Sequence, residues 1–139
     1  MFRKRIKATH LDNLDELAAL TADGKPVLID FFQVDCRPCR IMSGIVDELA
    51  EEFADSAHVV KVDVRQVPGA VAAFTIRSTP TFVLLGRSQR TPSKKARKRT
   101  GGAPAAQPAS VSPRWRASGL VKKDDLARVL ETNGGSRAG

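Results

Sequence analysis

At 139 residues, 42% of them hydrophobic, the chain suits one domain that buries a core without extra staples. No apolar stretch approaches the length of a membrane span, and the basic opening MFRKRIKATH is not followed by an apolar run of signal-peptide length, so the expected address is the cytoplasm or another reducing space. The net charge of +8 is local rather than general: nine of the 23 basic residues fall between Arg87 and Arg116, and the remaining 14 stand against 15 acidic ones, a net of −1.

In chain order, residues 2–9 read as a charged edge strand. Asp12 is placed to cap a helix with Leu14, Leu17 and Ala18 on one face, which ends at the turn residues 22–26. Residues 27–32 are almost wholly apolar, as in a strand covered on both faces, and Asp30 is the single acid inside the run. A carboxylate there is costly unless it has a partner or a task. Cys36, Arg37, Pro38 and Cys39 then open a long helix. Ile41, Ile45, Val46, Leu49 and Phe53 recur at helical spacing, with Asp47, Glu48, Glu51 and Glu52 mostly on the wet face and Met42 as core filler. Residues 59–64 form another strand, and Pro68 and Gly69 open a short helix over 70–74. Thr79 and Pro80 lead into a fourth strand over 81–85.

From 87 to 113 small, polar and basic residues dominate, and this segment cannot bury enough surface to offset its ordering entropy; it reads as a disordered basic insert. Residues 115–118 form a short last strand. Gly119 leads to a terminal helix with Leu126, Val129 and Leu130 inward and Asp124 and Asp125 at its positive end. Strands separated by helices give an α/β architecture, with the cysteines at the carboxyl end of an inner strand.

Two cysteines three residues apart are too few and too close for a stabilising scaffold. They point to redox chemistry or to half of a metal site. Zinc usually wants four ligands, and only His10 and His58 could supplement the sulfurs, at no finger-like spacing; no metal is expected.

The stretch KPVLIDFFQVDCRPCRIMSGIVDELAEEF…VVKVDV…VPGAVAAFTIRSTPTFVLL, over 25–85, resembles the thioredoxins, and the resemblance resumes at Gly119 with GLVKKDDLARVL. The shared motifs are an acid six residues before the first Cys, CxPC, the Lys of the third strand, and Thr-Pro before the fourth. The departures are Asp35 and Arg37 where the family usually has the Trp and Gly of WCGPC, Gly44 in place of a kinking Pro, and roughly two dozen extra residues between the last two strands. The resemblance implies a thioredoxin fold, a central mixed β-sheet flanked by helices on both faces, in a single domain over 1–139. It further implies a monomeric protein-disulfide reductase with no cofactor beyond a redox-active Cys36–Cys39 disulfide. Protein disulfides would be its substrates, and a thioredoxin-reductase-type protein its electron donor.

Within that frame Cys36, at a strand-to-helix junction, is the expected nucleophile, because unpaired N–H groups and the helix dipole favour its anion. Cys39, a turn further on, resolves the mixed disulfide, and Pro38 stiffens the turn between them. The resemblance implies that Asp30 is the proton acceptor for Cys39, directly or through water, with Lys61 as its charge partner. The other reading of this pair is a buried structural ion pair. Pro80 resembles the family's cis-proline, which with Thr79 and the closing Gly119 would receive an extended substrate segment. Asp35 should oppose the Cys36 thiolate while Arg37 and Arg40 favour it, with a slight net gain for the anion. Residues 94–99 form a basic cluster of the kind that contacts polyanions, so 87–116 is a candidate polyanion surface. A second reading of the whole is therefore a binding protein whose basic insert engages nucleic acid or an acidic partner. A third is an oxidase or isomerase, which a reduction potential would distinguish.

Overall fold

A computed structural model describes residues 6–87 and 111–137. Its elements are β1 (Thr9–His10), α1 (Asp15–Thr21), β2 (Val27–Phe32), α2 (Arg37–Glu52), β3 (His58–Asp63), α3 (Ala70–Phe74), β4 (Thr81–Arg87), β5 (Val111–Ser118) and α4 (Lys123–Thr132). The five strands form one mixed sheet in the order β1-β3-β2-β4-β5. β1 and β2 run parallel to β3, and β4 runs antiparallel to β2 and β5.

The central strand β2 is buried along nearly its whole length, which explains its near-continuous apolar run. Alternate residues feed two separate cores. Leu28, Val59, Phe82 and Leu84 pack under α2 and α4 with Met42, Val46, Leu49, Leu126 and Leu130. Ile29, Phe31, Val60, Val62 and Val83 pack on the other face with Leu17 of α1 and Ala70 of α3. Helices thus cover both faces, as the sequence led us to expect.

The differences lie at the margins. The first strand is a two-residue bridge, because only Thr9 and His10 find partners on β3. The cap of α1 is not Asp12. The Asn13 side chain accepts from the Glu16 N–H at 3.2 Å, while the Glu16 carboxylate accepts from the N–H groups of Asp12 and Asn13. That reciprocal box leaves the Asp12 carboxylate without a capping role.

On α2, Ile41 is 53% exposed and Met42 only 1%, so the inward stripe runs through Cys39, Met42, Val46, Leu49 and Ala50. Turning Cys39 into the core sets the phase of the helix, and Ile41 falls outside it. β4 extends to Arg87, and β5 begins at Val111, directly opposite Arg87. The two ends assigned to the basic insert, Arg87 and residues 111–113, therefore stand in the sheet; the rest of it, 88–110, lies outside the described residues, as does the basic cluster at 94–99.

Candidate active site

Cys36 is the N-cap of α2, with extended backbone angles (φ −98°, ψ 113°), and Pro38 occupies the first turn. Proline suits that position because the N–H it lacks would have no partner inside the helix. Cys36 and Cys39 form a disulfide whose Cα atoms are 5.2 Å apart. The Cys39 N–H donates to Cys36 Sγ at 3.2 Å. A side-chain acceptor at an N-cap satisfies one of the free donors of the first turn, and the acceptor here is a sulfur. On reduction the same N–H and the positive end of a sixteen-residue helix favour a Cys36 thiolate. The two sulfurs differ in access. Cys36 is half-buried and reachable, whereas Cys39 is 3% exposed.

Asp30 lies on β2 in the row that faces α2, as does its neighbour Leu28. Its register partners are Lys61 on β3 and Phe82 on β4. Asp30 is 1% exposed and Lys61 5%, yet the ammonium does not close onto Asp30. Lys61 Nζ instead donates to Ser43 Oγ at 2.7 Å and pairs with Asp47 Oδ1 at 3.0 Å, both on α2. Asp30 Oδ1 is left buried with no hydrogen-bond partner among the described residues. Loss of water pushes the Asp30 carboxyl from an ordinary 3.8 up to about 7; the Lys61 charge opposes that rise and the Asp47 charge adds to it.

The Thr79–Pro80 peptide bond is cis. The Thr79 carbonyl oxygen is 3.4 Å from Cys36 Sγ, and the Gly119 N–H donates to the Pro80 carbonyl at 2.9 Å. Gly119 has φ +84°, a left-handed value that glycine adopts without strain. Asp35, Arg37 and Arg40 are exposed around the sulfurs, and Asp35 is paired with Arg65 at 3.2 Å. His58 pairs with Asp23 at 2.7 Å, and His10 lies edge-on to Phe32. Among the described residues no cluster of three or more His, Cys, Asp or Glu side chains could hold a metal ion.

The thioredoxin family model matches residues 7–107, which takes in α1, the CRPC turn, Asp30, Lys61 and Pro80. The chain belongs to the thioredoxin family. It is 40% identical over 65 residues to thioredoxin 1 of Synechococcus elongatus, a match covering 47% of this chain and 61% of that protein. It is 34% identical over 80 residues to a thioredoxin of Haemophilus influenzae, covering 58% of this chain and 75% of that one. Among solved structures, a point mutant of an Entamoeba histolytica thioredoxin superposes with a TM-score of 0.63 at 30% identity, covering 90% of this chain and 98% of that one. A mutant thioredoxin of Halobacterium salinarum NRC-1 gives 0.68 at 23% identity over 96% of both chains and bears on the fold alone.

The fold thus gathers Cys36, Cys39, Thr79, Pro80 and Gly119 at one end of the sheet, past the C-terminus of β2 and before β4, with Asp30 and Lys61 buried beneath α2. Three residues that sequence reasoning did not single out complete the site. Ser43 and Asp47 take the Lys61 ammonium, and Arg65 takes the Asp35 carboxylate. The signal for the first two was their spacing: four apart on α2, they share one face of the helix.

Proposed function

We propose that this chain is a dithiol–disulfide oxidoreductase that reduces protein disulfides, with Cys36 as the attacking sulfur and Cys39 as the resolving one. The Cys36 thiolate attacks a substrate disulfide; a bond forms between Cys36 and one substrate sulfur, and the other leaves as a thiolate. Asp30 takes the Cys39 proton. The Cys39 thiolate then displaces the second substrate sulfur from Cys36 and forms the internal disulfide. Two electrons have passed to the substrate, and a two-electron donor of the thioredoxin-reductase type restores the dithiol.

The observation that carries this reading is the disulfide at a helix N-cap with one sulfur reachable and its partner buried. An extended substrate segment would lie along Thr79 and Pro80, which stand before β4 and outside the registers of both its ladders, with Gly119 beside them. Asp35, Arg37 and Pro38 would tune the thiolate. The working form is a cytoplasmic monomer that serves in electron transport, and the basic segment within 87–116 adds a polyanion contact. The chain spans 61% of the length of several of the curated relatives it matches, so substrates and donor are part of the proposal.

Reduction of insulin with dithiothreitol as electron source tests the reading. Wild type should accelerate precipitation of the insulin chains and Cys36→Ser should not; equal rates with and without the protein would reject it. Titration against a glutathione or dithiothreitol couple separates a reductase from an oxidase, which would have the higher potential.

A further inference from the structure

We propose that Ser43 and Asp47 form a clamp that holds the Lys61 ammonium on the α2 side, and that this clamp sets how readily Asp30 takes and returns a proton in each cycle. The inference rests on Asp30 as the proton acceptor and adds two positioning residues to that role.

Register alone would bring the two charges together. Asp30 and Lys61 are direct partners across the parallel β2–β3 ladder, and their side chains project from the same face of the sheet. Both are nine-tenths buried or more, the setting in which opposite charges normally close on each other. They do not. The four-carbon lysine stem reaches to α2, where Ser43 and Asp47, one turn apart, offer two acceptors at 2.7 and 3.0 Å. Asp47 is itself pinned, since its Oδ1 also accepts from the Ala8 N–H at 3.1 Å. Lys61 is satisfied by this arrangement while Asp30 Oδ1 has no donor among the described residues.

The other groups facing Asp30 do not compensate it. β4 presents Phe82, α4 presents Leu126 and Leu130 to the same core, and the first turn of α2 presents Cys39. Among the described residues, the charged side chains acting on Asp30 are Lys61 and Asp47, with opposite signs. A salt bridge pairing Lys61 with Asp30 would keep the carboxyl ionised at neutral pH and leave it a poor store for the Cys39 proton. Drawing the ammonium to α2 weakens that hold without removing the charge.

The test is a carbon-13 titration of the Asp30 carboxyl in the oxidised full chain, for wild type, Asp47→Asn and Ser43→Ala. Asp47→Asn should lower the Asp30 midpoint by about one pH unit, as expected when an ammonium loses its own counter-charge. Ser43→Ala deletes no charge, so a smaller downward shift there reads the position of the ammonium itself. Unchanged or raised midpoints in Ser43→Ala would overturn the clamp, and so would an unchanged midpoint in Asp47→Asn. If Asp47→Asn does not fold, Ser43→Ala decides alone. The titration needs no turnover, so the two ideas can fail separately. Lowered midpoints with an unaltered pH profile of insulin reduction would keep the clamp and reject Asp30 as the base.

Discussion

Asp30 combines a buried carboxyl, an oxygen without a donor among the described residues and a titration range near neutrality, and this has consequences for stability as well as chemistry. In the unfolded chain it ionises near its ordinary 3.8, and in the folded protein only near 7. Between those values the folded state holds a proton that the unfolded state has released. Stability therefore falls as pH rises through this window, by roughly 4 kcal/mol in all, and the penalty is complete above pH 7. Asp30→Asn should then be more stable than the parent at pH 8, on the order of 2–3 kcal/mol once the buried amide's own cost is counted, and less stable than it by about 1–2 kcal/mol at pH 4, where only that cost remains. Urea melts at the two pH values measure this; a gain of equal size at both would point to packing rather than charge. The same variant should slow insulin reduction most where Asp30 is ionised, above pH 7. Beside the sulfurs, Arg37→Gly should make Cys36 react more slowly with iodoacetamide at pH 6–7, because a cation near the thiolate is lost. Asp35 opposes that thiolate less than its sequence position suggests, since Arg65 holds its carboxylate.

Among the elements, α2 does most to build the site: it carries Cys36 at its N-cap and supplies Cys39, Ser43 and Asp47, and Lys123 of α4 ties to it through Glu48 and Glu52 at 3.0 Å each. Gly44 sits exposed in its middle, and a methyl group there would meet nothing within 4 Å. Gly44→Ala should raise stability by about 1 kcal/mol by removing the entropic burden of glycine in a helix, read as a higher melting temperature. At the sheet edge, Trp115 pairs with Leu84 and packs against the α2–α4 core, three residues from Ser118 at the Pro80 end. That places it about 10 Å along the strand from the site, so its fluorescence should barely change on reduction. These elements show what the sequence made legible. The apolar run 27–32, the helical spacing after Cys39 and the Thr-Pro pair located the strands, the helix and the site's edge. Met42 is core filler as its sequence reading has it, whereas the outward turn of Ile41 depended on the helix phase, which the Cys39 contact sets and composition does not. The diversion of Lys61 to Ser43 and Asp47 depended on how far a flexible stem reaches, which pairing register could not reveal.

Across the whole molecule, the site and the root of the basic segment stand at opposite ends of β4. Pro80 precedes the strand and Arg87 ends it, roughly 20 Å away at the usual rise per residue. Because Arg87 and Val111 face each other in the ladder, a short turn could join them directly. Replacing 88–110 by Asn-Gly removes Arg90, Lys94, Lys95, Arg97, Lys98 and Arg99 and lowers the net charge from +8 to +2. Insulin reduction should be unchanged in that variant, while elution from heparin should move to lower salt. A lost reductase activity would mean that the segment takes part in the chemistry after all.

The division of labour between the two sulfurs is most directly tested by trapping. Cys39→Ser, reduced and mixed with a disulfide-bonded protein, should accumulate a covalent adduct whose mass and fragment map join the substrate to Cys36, and dithiothreitol should release it. A reduced, folded Cys39→Ser protein that forms no such adduct, while wild type reduces the same substrate, would contradict the assignment of Cys36 as the attacking sulfur.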